Sequence, residues 1–190
     1  REMNSKPKQI KDLVITVSGY HGSGRTTQAK RLAKSFGLRY ISSGTIYRDL
    51  AKELGLTLQE MSKLTEKDSE IDRKIDLRAK EESKNPGEVI DATLSGWMAE
   101  NPDIRIFLAT SFKERVRRIA KRENISYEEA KKETLVREES ELERFKEFYN
   151  VSVNDLSIYD VIINTEIFDI ESTARILKSV VEEYCSEERI

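Results

Sequence analysis

The sequence predicts an α/β fold, in which a five-stranded parallel sheet carries helices on both faces. Short apolar runs rich in β-branched residues alternate with stretches that have helical spacing. This alternation is typical of parallel strands joined by helical crossovers. The 190 residues suffice for one domain with a sizeable core, expected at 13–181, after a polar and frayed N-terminal extension at 1–12. The strands are predicted at Leu13–Val17, Leu38–Ile41, Glu88–Ala92, Ile104–Leu108 and Asp160–Ile163.

A glycine-rich loop separates the first strand from the first helix. Ala29, Leu32 and Phe36 repeat at helical spacing, and Gly37 ends the helix. The loop fits the pattern G-x-x-x-x-G-K-S/T except that Arg25 replaces the lysine, and such loops cradle phosphate with backbone N–H groups. A chance glycine turn before a helix is the alternative. We predict a phosphate loop made of Gly19, Tyr20, His21, Gly22, Ser23, Gly24, Arg25, Thr26 and Thr27.

Two stretches are too long for simple crossovers. The first, 43–86, holds two or three helices, and the second, 115–150, holds a helix, a break near Asn124 and another long charged helix. Capping-box patterns begin helices at Thr57, Ser111 and Ser126. We expect both stretches to be helical excursions over the carboxyl edge of the sheet, where ligands bind in such folds.

Two further positions at this edge suit phosphate chemistry. Arg48 lies one turn into the helix that starts near Gly44, where it could bind a second phosphate bidentately. Asp91 closes the third strand, where it could hold Mg²⁺ through water, with the Thr26 hydroxyl as a direct ligand. The alternatives are an ordinary exposed arginine for Arg48 and a turn or cap residue for Asp91.

Arginines recur at helical spacing in the second excursion. Arg115, Arg118 and Arg122 share one face, as do Arg137 and Arg144 farther on. Solvent-facing arginines are common, but phosphoryl transfer needs positive charge around the transferred group, and a closing lid would supply it. His21, inside the phosphate loop, is expected to point away from phosphate. Trp97 suits a base pocket or the core equally well.

Composition narrows the class of protein. The net charge is −2, from 33 basic and 35 acidic residues, so no nucleic-acid or membrane partner is expected. A single cysteine, Cys185, precludes an internal disulfide and fits a reducing cytoplasm. No signal peptide and no apolar run of membrane-spanning length is visible.

Taken together, these segments resemble the nucleoside monophosphate kinases, and most closely the archaeal-type cytidylate kinases. The resemblance runs from Ile15 to about Val181, and the stretches that carry it are the phosphate loop, Ser43-Gly44 with Arg48, 94–98, 137–140 and 156–160. It implies a P-loop NTPase core, a monophosphate-binding excursion and a lid in a cytoplasmic monomer that transfers the ATP γ-phosphoryl to CMP, and to dCMP, with Mg²⁺. It implies catalytic roles for Arg25, Arg122, Arg137 and Arg144. It also implies substrate contacts by Ser43, Gly44, Arg48, Asp91, Thr93, Gly96 and Trp97.

Three positions depart from the family pattern. Arg25 replaces the phosphate-loop lysine, Thr45 stands where an acidic residue is common, and Thr93 stands where related kinases place an arginine. Arg25 and Thr93 leave two alternatives open: a nucleotide-binding regulatory protein with weakened catalysis, and a related kinase that uses UMP, AMP or a nucleoside.

Overall fold

The computed structural model describes residues 8–65 and 70–186, and the predicted α/β fold is confirmed. The strands are β1 Val14–Ser18, β2 Arg39–Ser42, β3 Glu88–Asp91, β4 Ile104–Ala109 and β5 Val161–Asn164. All neighbouring strands pair in parallel, in the order β2-β3-β1-β4-β5. Each predicted strand agrees with the observed one to within about one residue at either end, which is the precision with which such boundaries are defined.

The helices of the described residues lie between and after these strands. They are α1 Arg25–Phe36, α2 Ser43–Glu53, α3 Leu58–Thr65, α4 Glu70–Glu82, α5 Ser95–Met98, α6 Phe112–Glu123, α7 Tyr127–Tyr149 and α8 Ile170–Cys185. On one face of the sheet, Leu32 of α1 and Leu177 of α8 join the main core. On the other face, Phe107 of β4 packs with Phe145 of α7. Helices therefore cover both faces, as predicted.

The helix-boundary signals operate as the sequence suggests. Gly37 and Asn124 adopt the left-handed conformation at the ends of α1 and α6, with φ of 65° and 56°. Ser111 and Ser126 accept hydrogen bonds from backbone N–H groups of the helices that follow them. Thr57 and Glu60 bond reciprocally, so all three predicted caps form.

The 43–86 stretch contains α2, α3 and α4, and the 115–150 stretch contains most of α6 and all of α7. Their roles as a monophosphate-binding excursion and a lid stay predictions. Of the N-terminal extension, residues 1–7 lie outside the described residues, while Ile10–Asp12 form a single 3-10 turn. No helix among the described residues is both long enough and apolar enough to cross a membrane.

The register of the sheet places the carboxyl ends of β1, β2 and β3 next to one another. β1 is the central strand and is buried along its whole length. Val17 of β1 and Ser42 of β2 both align with Asp91 of β3. The ends of these strands, and the loop that follows β1, therefore meet around the Asp91 carboxylate.

Candidate active site

The phosphate loop connects β1 to α1 through a backbone that glycine makes possible. Gly19, Gly22 and Gly24 have φ of 144°, 81° and 89°, a region that side chains disfavour. A Cβ on Gly22 would lie 2.7 Å from the backbone oxygen of Arg115, so this position also requires the absence of a side chain. The loop ends at the N-terminus of α1, whose first N–H groups and dipole favour an anion.

Asp91 is the centre of a hydrogen-bond cluster beside this loop. The residue is 1% exposed. Its carboxylate accepts hydrogen bonds from Thr26 Oγ1 at 2.8 Å, from the Tyr40 hydroxyl at 2.7 Å, and from Arg25 Nε. Burial, and to a lesser degree the negative charge of Asp91, raises the pKa of Tyr40 to about 12, so the phenol remains a donor at neutral pH.

The guanidinium group of Arg25 connects the phosphate loop to the end of β3 through hydrogen bonds. In addition to Asp91, its Nη1 donates to the Gly19 carbonyl oxygen and, at 3.0 Å, to Thr93 Oγ1. Thr93 therefore contacts the guanidinium that replaces the usual lysine. Arg25 and Thr93, two of the three positions that depart from the family pattern, therefore lie in one hydrogen-bonded cluster.

A large cleft opens over these groups, with a volume of about 750 Å³. We call it the central cleft. It lies between the phosphate loop, the start of α2, α4, the end of β3 and α7. The predicted site residues that line it are His21, Arg25, Thr26, Ser43, Gly44, Arg48, Asp91, Thr93, Arg122, Arg137 and Arg144.

A second cleft, of about 520 Å³, lies on the other side of the phosphate loop, against the start of α8. We call it the flanking cleft. Gly22, Gly24 and Thr27 of the loop form one wall, and Phe168 and Ile170 form another. Arg122 lines both clefts. Its guanidinium therefore belongs to the region where molecules bound in the two clefts would approach one another.

Two carboxylates of α4 face α7 across the central cleft, and sequence reasoning missed both. Asp72 lies 3.1 Å from Arg144 Nη1, and Asp76 lies 4.0 Å from Arg144 Nε and accepts a 3.0 Å hydrogen bond from the Tyr149 hydroxyl. Burial raises the pKa of Asp76 to about 6, although Arg144 acts in the opposite direction. A signal for these positions exists, because each of the two aspartates follows a buried isoleucine of α4 and so lies beside its apolar face.

His21 contacts α7 rather than standing apart from the site. Its Nε2 lies 3.0 Å from the Glu141 carboxylate, which is also 3.6 Å from Arg137. Burial would raise the pKa of Glu141, but the hydrogen bond from His21 and the nearby positive charges hold it below its usual value. That His21 points away from phosphate stays a prediction; the structure shows its ring held by Glu141 of α7, at a residue that lines the central cleft.

Two predicted substrate residues lie away from both clefts. The Gly96 N–H donates to Ser18 Oγ at 3.0 Å, and a Cβ on Gly96 would meet the Tyr159 ring at 2.5 Å. Trp97 packs with the cluster that contains Phe107 and Tyr159. Gly96 gives room to an aromatic ring, so its expected contact with substrate has no support in the structure. For Trp97 the packing favours the core, one of the two roles that the sequence left open.

Arg115 shares a helix face with Arg118 and Arg122, as the spacing predicts, but it is neither a solvent-facing arginine nor part of either cleft. It is 5% exposed and pairs with Glu138 of α7. Arg118, on the same face, donates to the Thr165 carbonyl at 2.7 Å. Of these three arginines, Arg122 is the one that reaches the central cleft.

The oxygen atoms beside the phosphate loop suit a magnesium ion. Thr26 Oγ1 and the Asp91 carboxylate are 2.8 Å apart, and hydroxyl and carboxylate oxygens are hard ligands that Mg²⁺ accepts. Within residues 8–65 and 70–186, no group of three or more His, Cys, Asp or Glu side chains is arranged to hold a metal. This donor set fits an ion held by one or two protein oxygens, with water and substrate phosphates as its other ligands.

Comparison with known proteins finds a family model and several relatives that match this chain. The model of the cytidylate kinase-like family matches residues 14–167. A cytidylate kinase of Staphylothermus marinus is 41% identical over 92% of this chain and 99% of its own length. A cytidylate kinase of Pyrococcus horikoshii is 44% identical over 90% of this chain and 88% of its own length.

Solved structures share the fold at much lower identity. An uncharacterized protein from Eubacterium ventriosum superposes with a TM-score of 0.67 at 15% identity, covering 90% of this chain and 98% of its own. A shikimate kinase from Acinetobacter baumannii, solved with shikimate, superposes with a TM-score of 0.59 at 16% identity, covering 92% of this chain and 96% of its own. At such identities the likeness concerns the fold alone.

Proposed function

The chain belongs to the cytidylate kinase-like family, and from that premise we propose that it transfers the γ-phosphoryl group of ATP to CMP, and to dCMP. The observation that carries the proposal is the pair of clefts on either side of the phosphate loop, both lined by Arg122. ATP binds with its base in the flanking cleft and its phosphates on the loop. CMP binds in the central cleft, with its phosphate toward Arg48.

Transfer in this arrangement depends on position and charge. The phosphate oxygen of CMP attacks the γ-phosphorus, the bond to the β–γ bridging oxygen breaks, and ADP leaves with that electron pair. Arg25, Arg122 and Arg137 supply positive charge around the transferred group, and Arg48 holds the acceptor phosphate. Neither a general base nor a covalent enzyme intermediate is required.

Thr26 and Asp91 are the residues that would hold Mg²⁺, which neutralises charge on the phosphate oxygens when bound. Asp91 also fixes Arg25 at the end of β3. This pairing keeps the guanidinium beside the loop before any nucleotide arrives.

The charges that α4 and α7 present favour cytosine over uracil. Asp72 and Asp76 offer carboxylate oxygens to the central cleft, and Arg144 offers N–H donors beside them. Cytosine carries an amino group that a carboxylate can accept, whereas uracil carries a carbonyl at the same position. A carbonyl facing Asp72 and Asp76 would meet acceptors only, which selects against uracil, most of all at Asp76, whose side chain is 14% exposed.

A panel of nucleoside monophosphates, each tested with ATP and Mg²⁺, examines this assignment. The proposal requires kcat/KM to be highest for CMP and dCMP and much lower for UMP and AMP. Preference for UMP or AMP would identify a related kinase instead. A cytoplasmic monomer that binds neither nucleic acid nor membrane is part of the same proposal.

The regulatory alternative has one observation in its favour. Arg25 is bonded to Asp91, Thr93 and the Gly19 carbonyl, so its Nε and Nη1 donors are already engaged within the protein. Tight binding of ATP and CMP without formation of CDP would support that alternative over the kinase.

A further inference from the structure

Arg115 joins the phosphate loop to α7 from a buried position on α6. Its side chain is 6% exposed. Nη1 donates to the His21 carbonyl oxygen at 3.2 Å and also to Glu138, while Nη2 donates to the other carboxylate oxygen of Glu138 at 3.2 Å. The guanidinium carbon lies 4.8 Å from the centre of the Tyr20 ring. Arg115 thus contacts two consecutive residues of the loop and one of α7.

The backbone of the loop also rests on this residue. A Cβ on Gly22 would come within 2.7 Å of the Arg115 carbonyl oxygen, so loop and helix pack too closely for any side chain there. The loop is therefore held both by the guanidinium of Arg115 and by the main chain of α6.

The hydrogen bond from Arg115 to the His21 carbonyl affects which backbone groups the phosphate loop directs toward an anion. An anion-binding loop works by turning its N–H groups toward phosphate, and a carbonyl turned the same way would repel the anion. A buried carbonyl turned away needs a hydrogen-bond partner of its own. Arg115 is that partner for His21, and a charged donor makes the stronger kind of hydrogen bond.

We propose that Arg115 is a positioning residue for the phosphate loop: it holds the His21 carbonyl away from the donor phosphates, and Glu138 fixes Arg115 in that position. This inference rests on the proposed function, because it assumes that the phosphate loop binds ATP. Glu141, one turn beyond Glu138 on α7, holds the ring of the same histidine at 3.0 Å. Helix α7 therefore reaches His21 twice, through Arg115 at the backbone and directly at the side chain.

The test replaces the buried ion pair by an apolar pair, in the double variant Arg115→Met/Glu138→Leu. Exchanging a buried ion pair for hydrophobic residues of similar volume is often neutral for stability, whereas removing one partner is not. The melting temperature should stay near that of the parent. The Kd of a non-hydrolysable ATP analogue and the KM for ATP should rise on the order of tenfold, because one charge-assisted hydrogen bond to the loop is lost. The KM for CMP should not change.

Arg117→Met is the matched control. Arg117 lies on the same helix, its side chain is 64% exposed, and it pairs with Glu114. This variant should bind the analogue as the parent does. A role confined to packing predicts that the double variant, once shown to be as stable as the parent, also binds the analogue normally, and that result would overturn the proposal.

Arg115→Lys keeps the proposal testable if the double variant does not fold. Lysine retains the charge that Glu138 needs, but its compact ammonium cannot reproduce the fork that reaches the carboxylate and the His21 carbonyl together. The analogue should bind more weakly to this variant, with stability close to that of the parent. Parent-like affinity would refute the inference. Since analogue binding needs no acceptor, this comparison decides the role of Arg115 even if CMP proves not to be phosphorylated.

Discussion

The arginines around the phosphate loop fall into two groups that differ in burial. The side chains of Arg25 and Arg115 are 13% and 6% exposed and pair with Asp91 and Glu138. Those of Arg122 and Arg137 are 63% and 60% exposed. The two buried arginines fix the phosphate loop within the fold. The two exposed arginines line the central cleft, where their side chains can turn toward a bound nucleotide. Similar residues on neighbouring elements thus divide into those whose place the fold fixes, among them Arg25 of the central cleft, and those whose side chains extend into solvent.

Arg144 lies between the two groups, at 19% exposure, where its ion pair joins α4 to α7. The difference in burial predicts how each arginine responds to loss of its partner. A buried charge left alone is costly, whereas an exposed pair contributes little. The substitutions below test this division, beginning with loss of the carboxylate that pairs with Arg25.

Asp91→Ala should have the largest effect on stability. It leaves the mostly buried Arg25 without its carboxylate and removes the acceptor of Thr26 and Tyr40. We expect the free energy of unfolding, measured by chemical denaturation, to fall by about 3–5 kcal/mol. Glu171→Ala is the control. It breaks an exposed ion pair with Arg31, which lies on α1 as Arg25 does, and should leave the unfolding free energy close to that of the parent. Equal losses in the two variants would contradict the division by burial.

Asp76 should make stability depend on pH. Burial, opposed by Arg144 and the Tyr149 hydrogen bond and assisted by Asp72 and Glu141, raises its pKa from 3.8 to about 6. Between these values the folded protein binds more protons than the unfolded chain, so stability falls as pH rises from about 4 to 6. At about 1.4 kcal/mol per pKa unit, the loss reaches up to about 3 kcal/mol.

Asp76→Asn should remove that pH dependence. As pH rises from about 4 to 6, the parent should lose stability and the variant should not. The unfolding free energy of the variant should therefore increase relative to that of the parent. A difference that stays constant from pH 4 to pH 7 would show that Asp76 has an ordinary pKa in the folded protein.

Arg48→Ala should weaken acceptor use without weakening ATP binding. Arg48 is exposed, lines the central cleft and lies within 3.6 Å of a Cβ built on Gly44. Loss of a charge-assisted contact of about 1.5–3 kcal/mol predicts a KM for CMP raised on the order of tenfold to a hundredfold. Lys52→Ala, one turn later on α2, is the control. Unchanged CMP kinetics in Arg48→Ala would remove Arg48 from the acceptor site.

Arg25 and Thr93 should be energetically coupled. Thr93 Oγ1 accepts a 3.0 Å hydrogen bond from Arg25, at the position where related kinases carry an arginine. Arg25→Lys and Thr93→Arg should each lower turnover, and the double variant should recover part of the loss, with a coupling of roughly 0.5–3 kcal/mol. Turnover numbers for all four proteins complete the cycle. Strict additivity would mean that the two departures are independent.

The sequence predicted the fold well because its signals are local. β-Branched runs bounded by polar residues locate each strand to within about one residue. Glycine and asparagine mark the ends of α1 and α6, and serines cap α6 and α7. The phosphate loop combines the same kind of signal in one short stretch, so its conformation could be anticipated from spacing and residue type.

The rest of the site depends on which elements meet, and helical spacing does not give that information. Arg115 and Arg122 share a face of α6 in the sequence pattern, yet one is buried against Glu138 and the other is exposed. Asp76 lies beside the apolar stripe of α4, but the pattern of that helix does not show that α7 lies opposite. The family resemblance predicts a substrate contact for Gly96, and nothing in its sequence neighbourhood reveals the Tyr159 ring that needs its space.

The most direct test of the account is single-turnover transfer from ATP labelled at the γ-phosphate to CMP, with enzyme in excess and Mg²⁺ present. The account predicts labelled CDP from the parent, formed at least about tenfold more slowly by Arg122→Ala, because that arginine lines both clefts and serves the reaction rather than the fold. The unfolding free energy of the variant should equal that of the parent. Binding of both nucleotides by the parent without labelled CDP, or an unaltered rate in Arg122→Ala, would contradict it.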